Sequence, residues 1–451
     1  MIEVDTTSFE DCLQGLIKSL EASSYEEAAS QLSGLHPGEV ARLLEAVPPK
    51  NRTELWLRID SATQGDILIE FSEDVQEQLL LEMEVESIVK ATEGMDMDDL
   101  ADIVPNLPES ALHNLLLTLD HKHRNHLKQV LSYAEDSAGG LMNTDIITVR
   151  PDVSVGTVIR YLRLLKEMPV DTDQIFVVDR SFNYIGSIHI STLLTKEPEQ
   201  KILDLSGIEI TKPIIATMPE KEVANLFEQR NLISAPVIDE NNQLIGRITI
   251  DDVVDVIRDE AEHSVMSMAG LDEEDDVFAP VLEITKRRSI WLGVNLITAF
   301  IAVFFIGLFK ATIEQKVALA ILMPVVASMG GVAGTQTLIL VTRGIATGRV
   351  TISNLKLLMT KEVAVGFLNG ILWAVIIAIA TYIWFEDIVI SLVISLAIIA
   401  NLIFAAFSGA FLPLLLVKLK IDPALAGGVI LTTITDVIGF VAFLGLAAMV
   451  I

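Results

Sequence analysis

Five long apolar stretches crowd the last third of the chain, and they constrain its fold more than any other feature. They run about 289–309, 317–341, 362–384, 388–417 and 424–451. Each is long enough to cross a hydrocarbon layer of about 30 Å at about 1.5 Å per residue, which predicts five membrane-spanning helices. Basic residues in the loops set the orientation. Lys286, Arg287 and Arg288 precede the first stretch, Arg343, Arg349, Lys356 and Lys361 separate the second from the third, and Lys418 and Lys420 separate the fourth from the fifth. The opposite side holds only Lys310 and Lys316, with the acidic turn Glu386 and Asp387. This bias predicts an N-terminus inside, a C-terminus outside and residues 1–288 in the cytosol.

The remaining 285 residues are a different material. They hold 55 acidic and 21 basic residues, a net charge of −34, against 6 acidic and 11 basic residues, a net charge of +5, for the membrane segments. An acidic surface repels phosphates, which argues against nucleic acid and anionic lipid as partners and suits cations. A single cysteine, Cys12, rules out a disulfide framework. The acidic start, MIEVDTTSFEDC, has no apolar core and predicts neither a signal nor a transit peptide.

Two internal repeats organise this soluble part. Residues 176–190, FVVDRSFNYIGSIHI, recur as 236–250, PVIDENNQLIGRITI, pairing Asp179 with Asp239 and Gly186 with Gly246. Each copy reads as strand, turn, strand, with helical patterns at 153–166 and 220–230. The pattern resembles a tandem pair of CBS modules over about 137–200 and 201–263, a type of regulatory module that often binds adenine nucleotides. Upstream, LHPGEVARLLEAVP at 35–48 matches MDMDDLADIVPNLP at 95–108. Helical spacing with proline punctuation predicts an all-α array of helix pairs over 1–132. Between the modules and the first span, five acids at 272–276 lead into a helical pattern ending in three basic residues, which predicts a linker helix over 264–288.

Asp436 is the strongest single chemical signal. It lies in TTITDVIG, about 12 residues and hence about 18 Å into the fifth apolar stretch. An ionisable group there costs at least about 2.5–3.5 kcal/mol, so it needs a partner or a wet path, and no lysine or arginine lies within any span. Gly428 and Thr432 at four-residue spacing, with Thr435 and Gly439, give the helix a small, polar stripe. The second stretch carries Pro324, Ser328 and GGVAGTQT, in which Gly330, Gly331, Gly334 and Thr337 predict a weakened helix lining a cavity. No histidine or cysteine falls in a span, which disfavours Zn2+ or Cu+. The cluster His121, His123 and His126 reads as an exposed helix end rather than a metal site.

Taken together, the helical repeats, EDSAGGLM at 135–142, the strand–turn–strand pair, GGVAGTQT and DPALAGG…TTITDVIGFVAFLGLA resemble the MgtE-type magnesium transporters across essentially the whole chain. The resemblance implies a homodimer with an ion pathway between the second and fifth spans, in which Asp436 binds hydrated Mg2+. It implies regulatory Mg2+ sites at Asp252, Asp255 and Glu260 in TIDDVVDVIRDEAE, with Asp422 as a membrane-side partner and Asp98, Asp99 and Asp102 in the helical domain. This sequence departs from the family at Val332, where asparagine is common, and at Lys221 and Asn231, where acids are usual. The expected protein is a multidomain membrane protein, not an enzyme: a passive Mg2+ channel or transporter of the inner membrane, closed when Mg2+ bridges its crowded carboxylates. A transporter of another divalent ion (Co2+, Mn2+, Ni2+) and a membrane-anchored sensor that transports nothing are the alternatives.

Overall fold

The computed structural model describes residues 9–92, 95, 97–119, 121–165, 168–169, 171–205, 212–271, 276–351 and 353–450. Two compact units result, 1–261 with 274–279, and 262–273 with 280–451.

Short amphipathic helices build the start of the first unit: α1 (Phe9–Glu21), α2 (Tyr25–Leu32), α3 (Pro37–Glu45), α4 (Pro49–Trp56), α5 (Gln64–Leu68), α6 (Glu73–Glu82), α7 (Val85–Ala91), α8 (Met97–Ile103), α9 (Glu109–Thr118) and α10 (His121–Val130). Proline at the first helical position starts α3 and α4, where its missing N–H has no partner to lose. No helix here exceeds 13 residues, so each depends on burying its apolar face. Leu43, Leu44, Leu55, Trp56, Leu79 and Leu80 supply that core, which continues into the second of two α/β modules through Ala138, Met142, Val223, Phe227 and Ile248.

The 60-residue repeat produces two three-stranded sheets of the same construction. The first holds β1 (Thr148–Val149), β2 (Gln174–Val178) and β3 (Tyr184–His189), with helices α11 (Val155–Leu164) and α12 (Ile190–Thr195). The second holds β4 (Ile214–Ile215), β5 (Ser234–Ile238) and β6 (Leu244–Thr249), with α13 (Glu220–Arg230) and α14 (Ile250–Met266). Gln174 pairs with His189 in one hairpin and Ser234 with Thr249 in the other, and both carry a bulge at the same step. EDSAGGLM packs along the second module, where the N–H groups of Ala138 and Gly139 donate to Met218 and Ala216 and that of Asn143 to Arg247. A side chain at Gly139 would strike the Tyr133 ring, which explains glycine there.

Among the described residues, the second unit contains five helices long and apolar enough to cross a membrane: α15 (Val281–Gly307), α17 (Ala318–Ala346), α18 (Leu355–Phe385), α19 (Ile388–Lys418) and α20 (Pro423–Val450). A short α16 (Lys310–Gln315) joins the first two. The single linker helix expected over 264–288 is not what forms. α14 ends at Met266, a 3-10 turn covers Ser267–Ala269, and the basic trio 286–288 lies inside α15, which runs unbroken from Val281. Pro280 sets that start, because the residue before a proline and the ring itself disfavour a helix continuing through it. α19 is the central helix, packed by α17, α18 and α20, whereas α15 packs on α20 with most of its surface exposed. Small residues Gly366, Gly370 and Ala374 form a stripe on α18 that lets α19 approach, with Ser395 Oγ donating to Ala374 O at 3.1 Å.

Candidate functional site

The helical period sorts α17 into two faces. Gly330, Gly334 and Thr337 are buried on the side that meets the neighbouring helices. A Cβ at Gly330 would collide with the Asn401 side chain of α19, and one at Gly334 would lie 3.1 Å from Leu431 of α20. Gly409 of α19 in turn comes so near that its Cβ would sit 2.6 Å from Gly334 O. These glycines therefore bring backbones together. The expected break in α17 is absent: the helix spans 29 residues with Pro324 inside. Pro324 lies less than two turns from the N-terminus, where the one hydrogen bond it removes interrupts little of the ladder.

The other face of α17 meets α20 at an open recess of about 490 Å3. α17 brings the polar side chains of Ser328, Thr335 and Gln336, with Gly331 and the exposed Val332 between them. α20 brings Thr432 and, one turn on, Asp436. Asp436 is half-buried at the wall, and the lining offers hydroxyl and amide oxygens around one carboxylate. Such an all-oxygen set suits a hard cation that retains its water. Of the expected pathway residues, Gly331, Thr432 and Asp436 line the recess. Gly330, Gly334 and Thr337 face the helix contacts, Thr435 is fully buried with its hydroxyl donating to Thr432 O at 3.0 Å, and Gly428 lies two turns before Asp436 beside Met268 O.

Two buried polar residues escaped the sequence reading. Asn401 is fully buried in the middle of α19, where Nδ2 donates to Val326 O at 2.8 Å and Oδ1 has no partner. Glu362, at the edge of the third apolar stretch, lies two turns into α18, 5 % exposed, accepting at 3.4 Å from Thr337 Oγ1. An asparagine inside an apolar run was the available signal for the first.

The expected regulatory acids are each engaged separately. Asp252 accepts from the Thr249 N–H and hydroxyl at 3.4 and 3.0 Å, Asp255 pairs with Arg258 at 3.2 Å, and Glu260 contacts Lys221. Asp422 caps the start of α20 through Ala424 N at 2.7 Å and meets His263 Nε2 at 2.7 Å. Asp99 and Asp102 sit on α8, and the side chain of Asp98 lies outside the described residues, as do Asp272 to Asp275. Among the described residues no three acidic, histidine or cysteine side chains converge as a metal site, the trio His121, His123 and His126 included. His126 instead meets the Thr144 hydroxyl at 3.1 Å. Near this region, burial and then the Asp136 carboxylate push the pKa of the Glu220 carboxyl up from its ordinary value.

Comparison with known proteins matches three family models along the chain. Residues 323–446 match the MgtE divalent cation transporter model, 35–136 the MgtE intracellular N domain, and 138–199 with 211–259 the CBS domain. The magnesium transporter MgtE of Bacillus subtilis is 27% identical over 98% of both chains. That of Thermus thermophilus is 25% identical over 97% of this chain and 98% of its own length. Among solved structures, the cytosolic domain of the Mg2+ channel MgtE in complex with ATP aligns with TM-score 0.48 at 24% identity, covering 54% of this chain and 99% of that one.

Proposed function

Because the chain belongs to the MgtE family of divalent cation transporters, we propose that it carries Mg2+ across the cytoplasmic membrane through the recess between α17 and α20. The observation that carries this reading is Asp436, a carboxylate set among Ser328, Thr335, Gln336 and Thr432 on otherwise apolar helices. Mg2+ gives up water reluctantly, so a pathway serves it best by binding its outer waters. At about 30 Å3 per water, a hexahydrate occupies roughly 200 Å3, which the recess of about 490 Å3 admits. Asp436 supplies charge, and the hydroxyls accept from the coordinated waters. In this reading a second copy of the chain closes the open side, as a homodimer, and places a second Asp436 opposite the first.

With the N-terminus inside, an inside-negative potential favours entry of a divalent ion by roughly 4.6 kcal/mol per 100 mV, so uptake needs no coupled ion. The acidic first unit is the sensor. When cytosolic Mg2+ is high it bridges carboxylates, Asp252, Asp255, Glu260 and Asp422 among them, and the pathway closes; when Mg2+ is low their repulsion opens it. Asp255–Arg258 and Glu260–Lys221 are exposed pairs worth little, so an arriving Mg2+ displaces them readily. The CBS pair is further proposed to take an adenine nucleotide, which calorimetry with ATP on the whole protein tests directly.

Uptake in a magnesium-requiring host decides the central claim. The wild type should restore growth at low Mg2+, and Asp436→Ala should abolish the rescue while still reaching the membrane. Equal rescue by the two would sink the pathway assignment.

A further inference from the structure

Arg52 is fully buried in α4, an unusual place for a permanent charge. Its guanidinium serves the end of α3: Nε donates to Leu44 O at 3.1 Å, and Nη2 to Val47 O at 3.2 Å and Glu45 O at 3.5 Å. Nη1 reaches Gln78 Oε1 at 3.4 Å. Those carbonyls satisfy the hydrogen bonds but leave the charge uncompensated. The compensating carboxylate is Asp276, from the stretch just ahead of the first membrane helix, at 2.9 Å from Nη1 and with its side chain 7 % exposed. Among the described residues no acid of the helical domain fills this position. Asp74 accepts instead from the Asp276 N–H at 3.4 Å.

We propose that Arg52 is a built-in carboxylate receptor for Asp276, and that the pair is a latch joining the helical domain to the first membrane helix. A buried ion pair is costly to break by removing one partner, because the other is stranded without solvent. The connection onward is short. Val281, the first residue of α15, follows Asp276 by five positions, at most about 17–18 Å of extended chain. It is also folded rather than slack, because Phe278 N donates to Asp276 Oδ1 at 2.8 Å and Ala279 N to Asp276 O at 3.1 Å. Pro280 then enters α15 directly. A displacement of α3 and α4 therefore reaches the start of α15 through this turn, without passing through the CBS modules. The latch rests on the gating reading above for its purpose, though not for its existence.

Asp276→Ala is the decisive variant, since it sits on a connecting segment and empties no apolar core, although it strands the buried Arg52 charge. Arg52→Lys is its counterpart, keeping the charge and losing the fork of donors. Both are compared with wild type as full-length protein in proteoliposomes, with Mg2+ varied on the cytosolic side, alongside hydrogen–deuterium exchange over residues 276–281. The expected result for both is faster exchange in that segment and a half-inhibiting Mg2+ concentration raised about fivefold or more, with uptake at low Mg2+ retained. Unchanged exchange would show that Asp276 is not held, and faster exchange with unchanged inhibition that the latch carries no signal; either overturns the proposal. A wild type that Mg2+ does not inhibit overturns the gating reading itself and the signalling role with it. That failure is told apart because it shows in the unmutated protein.

Discussion

At the scale of single residues, the recess depends on which side of α17 a residue occupies. Gly330 and Gly331 are neighbours with opposite duties, one against Asn401 and the other on the recess. Nothing in GGVAGTQT separates them, because the distinction is made by Asn401 and Gly409 on α19, some 70 residues later. Asp436 was legible because its chemistry is anomalous in an apolar run, whereas Gln336 was lost among ordinary polar residues. Gly330→Ala should destabilise the membrane unit by about 1–3 kcal/mol through overpacking against the Asn401 amide. Thermal unfolding in detergent measures it, and an unchanged midpoint would contradict the contact. Val332 is 57 % exposed at the recess and offers a passing hydrated ion no hydrogen bond. Val332→Asn should lower KM for Mg2+ uptake by several-fold, the worth of about 1 kcal/mol from one added hydrogen bond to a coordinated water. If KM stays where it was, this position does not face the ion.

Elements were read with more success, because periodicity is a property of the local chain. The five apolar runs became five helices, and the 60-residue repeat became two hairpins with matching registers. What stayed hidden was how elements join. The linker reads as one helix in sequence, and only Pro280 and the turn at Ser267–Ala269 divide it. The β2–β3 turn offers a pH test. Asp179 accepts from Asn183 Nδ2, Asn183 N and Ser181 N at 2.8, 2.9 and 2.7 Å, and the Asn183 side-chain bond foremost holds its carboxyl below the ordinary range. A lowered folded-state value means that the stabilisation is present above the unfolded value, near pH 4, and is lost as pH falls through the folded one. Asp179→Asn should therefore lower the melting temperature at pH 7, and the gap from wild type should narrow below pH 4. A gap that widens in acid would reverse the sign. Glu220 works the other way: its raised value means stability is lost as pH rises through it. Glu220→Gln should therefore raise the melting temperature at neutral pH and leave it unchanged at pH 4.

For the whole molecule, the division of charge at residue 286 was visible at once, and the two units divide near the same place. The long-range pairing of Arg52 with Asp276, 224 residues apart in the chain, had no local signature, since PKNRTELW reads as an ordinary exposed helix. A chain whose soluble part carries such an excess of carboxylates should tighten when Mg2+ neutralises them. Limited proteolysis of the intact protein should slow several-fold in millimolar Mg2+ relative to chelator, with cuts near 264–280 protected most. Equal digestion rates would count against bridging.

The loose seating of α15 has a consequence for the lipid around it. At 27 residues the helix is about 40 Å long, of which the part beyond the basic trio about matches the hydrocarbon layer, and α20 is the main helix that steadies it. A helix with few neighbours answers a thickness mismatch by tilting, while the basic trio at 286–288 keeps its end at the headgroups. Bilayer thickness thus becomes an input to this protein, acting on the same helix whose start the proposed latch holds.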